Sequence, residues 1–190
     1  MKKVMHRLTI IFAVITIIRI ILDPIFMIFA LLDGALMHFI ALAIFIIASI
    51  TDTLDGQIAR KHNQITNFGK FMDPLADKML TTAAFLVFME QGIINSWAIL
   101  IILVREFMVS GIRLSAASEG KVIAASFWGK FKTVSQMVAI IATIIITNLT
   151  FIPQGSAIAI SAGCIWISIV FTVISGEEYV AKNISCLKMK

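Results

Sequence analysis

The sequence predicts an all-α, polytopic membrane protein with six transmembrane helices and an amino-terminal interfacial segment, and three observations predict it. Hydrophobic residues make up 59% of the 190 and charged residues only 14%, with a mean hydropathy of +0.98. A chain this short leaves much of its surface exposed, so its apolar content cannot be hidden in a water-soluble core. The apolar residues also come in continuous runs rather than in alternation, which excludes membrane-barrel strands and indicates helices. Finally, when six of these runs are laid across a bilayer, every Lys and Arg falls on one side.

The amino-terminal stretch MKKVMHRLTIIFAVITIIRII begins like a signal peptide, with Lys2, Lys3 and Arg7 ahead of an apolar run. No small-residue cleavage site follows, and Arg19 arrives instead, so the stretch is expected to stay on the protein. The spans are expected at 20–32, 36–53, 74–89, 93–112, 133–147 and 157–175, within one domain covering 1–190. Pro24 starts or kinks the first, and Asp23 stands four residues from Arg19, close enough to pair on a helix. Several runs fall short of the ~20 residues that cross the hydrocarbon as a helix. They reach that length only when the charged residues at their ends are counted in, which puts those charges at the membrane boundary. Cys164 lies in the last run and Cys186 in the tail, so no disulfide is expected.

Charge orients the spans. The amino terminus, the 55–72 and 113–132 loops and the carboxyl tail share one side and, with the span ends, hold all 16 Lys and Arg residues. The connections on the other side, LDGAL, EQGIIN and NLTFIPQGS, hold none. Positive loops stay in the cytoplasm, so both termini and the 52–77 stretch are expected on the cytosolic face of a bacterial plasma membrane. The net charge of +5 then serves topology and attraction to anionic lipid heads rather than nucleic acid, and covers Lys2, Lys3, Lys188 and Lys190. It does not explain four aspartates.

Asp52 and Asp55, three apart at the end of the second span, share a helix face, and so do Asp73 and Asp77, four apart at the start of the third. The short loop between the two helices makes them expected neighbours, with the four carboxylates converging. Crowded anions repel, and such a set is stable only when protons or cations neutralise it. Oxygen ligands favour Mg2+, Mn2+ or Ca2+ over zinc, and His62 is not assigned as a ligand. Two divalent ions on four aspartates match the arrangement used for in-line displacement at phosphorus. Asp73 alone would read as an N-cap ahead of Pro74. Asp52, Asp55 and Asp77 have no such role, and an ionisable group near a membrane helix is a functional candidate by default. Gly56 and Gly69 permit close backbone approach, while Arg60 offers a planar charged fork to phosphate oxygens. Together they suggest a nucleotide or pyrophosphate held above the metals.

Asp52, Asp55, Gly56, Ala59, Arg60, Gly69, Asp73 and Asp77 reproduce in full the pattern DxxDGxxAR, eight residues, GxxxDxxxD. With them the chain resembles the CDP-alcohol phosphotransferases. TxxR at 16–19, REFMVSGIR at 105–113, WGKFKT at 128–133 and SGEEY at 175–179 are similar to the bacterial members that use sn-glycerol 3-phosphate. The resemblance implies a six-helix membrane enzyme, in many members a homodimer, that replaces the CMP of CDP-diacylglycerol with that alcohol. It implies two divalent cations, Mg2+ or Mn2+, on Asp52, Asp55, Asp73 and Asp77, with Asp77 also the general base. Asp55, Gly56, Ala59, Arg60 and Gly69 would receive the cytidine diphosphate. The chain departs from the family's pattern at Ala13, where asparagine is usual, and at Asp23, where an apolar residue is commoner.

Glycerol 3-phosphate is an anion, and Arg105, Arg113, Lys130 and Lys132 are the candidates for its phosphate. An arginine inside a span needs a partner; Glu106 is adjacent rather than three or four away, so it is expected to be a poor one. Lys130 and Lys132, two apart, would point to different sides of a helix, and one of them is expected to reach substrate. Serine or inositol as acceptor would not need this basic set, whereas phosphatidylglycerol would make the same chemistry a cardiolipin synthesis. A transporter using the aspartates as a proton relay is the alternative from another class, but the chain shows no internal repeat at comparable spacing.

Overall fold

A computed structural model of the chain describes residues 18, 20–61, 67–118, 123 and 126–183, with side chains described for 18, 20–51, 78–117, 123 and 126–183. Among these residues the only regular secondary structure is helix. There are six: α1 (Ile20–Leu31), α2 (Ala35–Lys61), α3 (Asn67–Glu90), α4 (Ser96–Ser118), α5 (Phe127–Thr147) and α6 (Gln154–Asn183). The all-α expectation is borne out. Arg19 of the expected Arg19–Asp23 pair, the amino-terminal segment with Ala13, His62 and Cys186 lie outside the described residues, while Asp23 is buried in α1.

α2 to α6 run past the expected spans into their charged ends, while α1 stops at Leu31, one residue short, and α4 starts at Ser96, three residues late. α2 continues through Asp52 and Asp55 to Lys61, and α3 starts at Asn67 rather than at Pro74. Asp73 is therefore no N-cap: the helix is already under way, and Pro74 sits inside it at the cost of one backbone hydrogen bond. α5 begins six residues before the expected Thr133, so the WGKFKT segment is helix, not loop. Its start is set by Ser126, whose Oγ accepts from the backbone N–H of Gly129 at 3.0 Å and satisfies one of the free donors of the first turn. The physical reason for the longer helices is common to all. A backbone that continues as helix satisfies its own N–H and C=O groups, and neither charge nor an exposed position interrupts that.

The connections carry clear stop signals. After α3, Gly92 takes φ +72° while its N–H reaches the Met89 carbonyl at 3.0 Å and the Ile93 N–H reaches that of Phe88 at 2.9 Å. These two bonds close the helix in the Schellman pattern, which needs a left-handed residue and so favours glycine. Asn95 then caps α4, its Oδ1 accepting from the Ala98 N–H at 3.1 Å.

The chain divides into two compact units, Met1–Val87 and Phe88–Lys190. In the first, Phe26 of α1 and Phe45 of α2 are fully buried, with ring centroids 5.7 Å apart. In the second, α4 and α5 each pack on α6. The inner face of α6 is built from Ala157, Ser161, Ile165, Ser168, Ile169, Thr172, Ser175 and Gly176, small residues that let neighbouring backbones approach. Across from them α5 buries Lys132, Gln136, Ala139, Ile140, Thr143 and Ile144. Outward lie large apolar residues: Val134, Val138, Ile167 and Val170 are all more than half exposed. Polar groups inside and apolar groups outside invert the pattern of a water-soluble helix pair, and both α5 and α6 are long and apolar enough to cross a membrane.

The α5–α6 seam should carry the stability of the second unit. Ile165→Ala, at a fully buried position, is expected to cost about 2–5 kcal/mol. Ile167→Ala, at a position 60% exposed, should cost less than about 0.5 kcal/mol. Thermal unfolding of the two purified variants in one mild detergent checks the contrast.

Candidate functional site

The most polar part of the described interior lies where α4, α5 and α6 meet, and it is made of residues singled out in the sequence. Arg105, Glu106 and Lys132 are 8%, 5% and 6% exposed. Lys132 of α5 donates to Oε1 of Glu106 on α4, and Arg105 Nη1 reaches the same oxygen at 3.3 Å. The second terminal nitrogen of Arg105, Nη2, donates to the Ser175 hydroxyl of α6 at 2.6 Å. One carboxylate thus stands between two buried cations on different helices. Nε of Arg105 is buried without a hydrogen-bond partner, which is uncommon for a charged donor.

Glu106 corrects the expectation drawn from its position. Adjacent residues point about 100° apart on a helix and do not face each other, which is why it looked unsuitable as a partner. The long arginine fork nevertheless bends back to it, and its main partner comes from another helix, which spacing along one helix cannot reveal. The signal available in the sequence was an ionisable residue inside an apolar run.

Lys130 and Lys132 do point to different sides: Lys130 is exposed and Lys132 buried. Below Lys132, Gln136 Nε2 donates to Thr172 Oγ1 at 3.1 Å, and that hydroxyl donates on to the Ser168 carbonyl at 2.8 Å. Arg113, two turns beyond Arg105 on α4, is exposed; its Nε donates to the Tyr179 hydroxyl at 3.2 Å, and its guanidinium carbon lies 5.4 Å from the centre of that ring. Tyr179 itself is 2% exposed and packs with Val109 and Ile112. At the start of α5, Phe127, Trp128 and Phe131 form an aromatic cluster, with Phe171 of α6 set edge-on to Phe131 at 4.8 Å.

The aspartates are placed by backbone alone. Asp52 and Asp55 lie on continuous helix in α2, and Asp73 and Asp77 on continuous helix in α3, so each pair keeps the spacing that puts its members on one face. Gly56, Ala59 and Arg60 share the end of α2, and Gly69 lies in the first turn of α3. The side chains of this group lie outside the described ones. The donor set fits hard divalent cations, being all carboxylate.

A family model described as CDP-alcohol phosphatidyltransferase matches residues 10–174, most of the chain. The chain belongs to the CDP-alcohol phosphatidyltransferase family. Three relatives show where in that family its likenesses lie. It is 43% identical over 186 residues, covering 92% of this chain and 95% of the relative, to a Bacillus subtilis protein named CDP-diacylglycerol--glycerol-3-phosphate 3-phosphatidyltransferase. A Rickettsia typhi protein of the same name is 34% identical over 169 residues, covering 87% of this chain and 92% of its own. A Mycobacterium tuberculosis protein named probable phosphatidylglycerophosphate synthase is 37% identical over 174 residues, covering 89% and 79%. In this member of the CDP-alcohol phosphatidyltransferase family, the buried cations Arg105 and Lys132 lie well apart in sequence from the aspartate signature.

The pairing of Glu106 with Lys132 can be measured. Glu106→Gln removes the carboxylate from between two buried cations and should destabilise the protein by about 3–5 kcal/mol. Adding Lys132→Met should recover a large part of that loss, giving a coupling above about 1 kcal/mol in a double-mutant cycle. Thermal melts of the four proteins decide it; additive losses would mean that the two side chains do not depend on each other.

Proposed function

We propose that this protein is an integral membrane enzyme that transfers the phosphatidyl group of CDP-diacylglycerol to sn-glycerol 3-phosphate, yielding phosphatidylglycerophosphate and CMP. The observation that carries the reading is the complete eight-position aspartate signature, lying on continuous helix in a chain 43% identical along nearly its whole length to a relative bearing that activity in its name. The buried cation cluster supports the acceptor: two cations with one shared carboxylate and an unpartnered guanidinium N–H suit a phosphate monoester and would be wasted on serine or inositol.

In this reading Asp77 accepts the proton of the acceptor hydroxyl as its oxygen attacks the phosphorus that carries the diacylglycerol. The bond from that phosphorus to the bridging oxygen of the diphosphate breaks, and CMP leaves with the electron pair. Asp55, Gly56, Ala59, Arg60 and Gly69 hold the cytidine diphosphate, with Arg60 on its phosphate oxygens. Arg105, Arg113 and Lys132 orient the glycerol 3-phosphate by its phosphate, and the exposed Lys130 draws it to the site. Asp52, Asp55, Asp73 and Asp77 would hold two divalent cations, Mg2+ or Mn2+, which when bound neutralise the phosphoryl oxygens and the departing CMP.

The 190 residues act as one domain with six spans, both termini and the active site on the cytosolic face of a bacterial plasma membrane, and the enzyme works as a homodimer. α2 to α6 are 27, 24, 23, 21 and 30 residues long, each above the ~20 that span a bilayer. Trp128 and the phenylalanines beside it lie at the amino-terminal end of α5, as aromatic residues do at a membrane boundary. A boundary site keeps the acyl chains in lipid while the head group meets a soluble acceptor.

Purified protein in detergent with Mg2+ should release CMP from CDP-diacylglycerol when glycerol 3-phosphate is added, and not with serine, inositol or phosphatidylglycerol. Chelation of the metal should stop release and Mg2+ restore it. Asp77→Asn should lower turnover by about 10²- to 10⁴-fold. Arg105→Ala should raise KM for glycerol 3-phosphate by roughly ten- to a hundredfold and leave that for CDP-diacylglycerol unchanged. Release with another acceptor alone would keep the chemistry and replace the substrate, and an unchanged KM in Arg105→Ala would remove the acceptor site from this cluster.

A further inference from the structure

The segment SGEEY, residues 175–179, matched the family resemblance without acquiring a role, and three of its five residues turn out to touch the arginines of α4. Ser175 accepts from Arg105 Nη2 at 2.6 Å, and Tyr179 accepts from Arg113 Nε at 3.2 Å. Gly176 lies against the stem of Arg105: a Cβ built there would stand 2.9 Å from Arg105 Cγ and 3.9 Å from Cβ, too close for any side chain without displacing the arginine. Ser175 and Tyr179 are four apart on α6 and so share a face. That face is the one α4 packs on.

The chemistry of these contacts differs from that of an ion pair. Lys132 is held by a carboxylate, which neutralises it as it orients it. Ser175 and Tyr179 are neutral hydroxyl acceptors, which orient a guanidinium and leave its charge in place. Arg105, Arg113 and Lys132 bring three cations to this region beside the carboxylate of Glu106, a donor set suited to a phosphate monoester, which carries about −1.5 to −2 near neutral pH. The contacts also leave donors of the planar fork uncommitted, the buried Arg105 Nε among them. An arginine fixed in this way loses less conformational freedom on binding than one that must be ordered by its ligand.

We propose that Ser175, Gly176 and Tyr179 of α6 are positioning residues that set Arg105 and Arg113 as a pre-oriented pair for the phosphate of the acceptor, and so govern acceptor affinity rather than donor binding. The inference rests on the proposed transfer to glycerol 3-phosphate and deepens it. None of the three residues needs to touch substrate. Their effect passes through the arginines, so it falls on one of the two substrates only.

The test compares Ser175→Ala, Ser175→Thr and Tyr179→Phe with the unaltered enzyme in detergent micelles, measuring KM for glycerol 3-phosphate, KM for CDP-diacylglycerol and kcat, with thermal melts alongside. Ser175→Ala and Tyr179→Phe are each expected to raise KM for glycerol 3-phosphate roughly three- to tenfold, with KM for CDP-diacylglycerol unchanged. Ser175→Thr, which keeps the hydroxyl, should return most of the affinity that alanine loses. Tyr179→Phe keeps the buried ring and changes only the hydroxyl, so its folding is expected to match the parent even if Ser175→Ala melts lower. Unchanged acceptor KM in Tyr179→Phe and Ser175→Ala, or an equal rise in both KM values, overturns the positioning role. If the unaltered enzyme releases no CMP with glycerol 3-phosphate, the proposed function fails and this inference with it; silent variants of an enzyme that does so sink only the inference.

Discussion

The carboxylate of Glu106 is the contact on which the second unit turns. α4 and α5 both pack on α6, and the Glu106–Lys132 pair joins them to each other through side chains. Taking a charge out of water is costly unless an opposite charge and further hydrogen bonds meet it. That requirement dictates the surroundings: Lys132 on one side, Arg105 on the other, and the Ser175 hydroxyl behind the arginine. A replacement by apolar residues of similar volume could satisfy the same three helices with less electrostatic cost.

The rest of the helix pair follows from the same scarcity of polar partners. Along α5 the buried face passes from Lys132 to Gln136 and on to Thr143, while the facing side of α6 offers Ser175, Thr172, Ser168 and Ser161. Several of these hydroxyls return their proton to a carbonyl of their own helix, as Ser168 does to Ile165 and Thr172 to Ser168. Such groups are small enough to let the backbones close together and are satisfied without water. The large side chains turn outward, Val134 and Ile167 among them, where a hydrocarbon environment accepts what a solvent would not. The polarity gradient therefore runs from the ionic cluster at the start of α5 towards the apolar middle of the pair, and it places the charged chemistry at one end.

Much of this was legible in the chain. Helical class followed from unbroken apolar runs, and the aspartate signature could be read because its logic is local: residues three and four apart on one helix share a face whatever the helix packs against. The same locality explains why Lys130 and Lys132 could be separated into an outward and an inward residue. The helix ends were less legible, because hydropathy marks where lipid contact stops while a helix stops only where its backbone finds a cap. Ser126, Asn95 and Gly92 supply such caps, and Pro74, which looked like a beginning, is absorbed within α3.

What the sequence by itself determined is the helical class of the protein and the signature that marks its family, since both depend on composition and on short, fixed spacings. What only the tertiary structure decided is who partners whom over long separations. Arg105 meets Ser175 seventy positions away, Arg113 meets Tyr179 across sixty-six, and Glu106 meets Lys132 across twenty-six. No periodicity along one helix encodes these pairs, because they arise from the close approach of three helices that Gly176 and the small residues of α6 permit. The cations could be named from the sequence; that Arg105 and Lys132 share one carboxylate while Arg113 meets only a hydroxyl and a ring in the contacts above is a property of the packing.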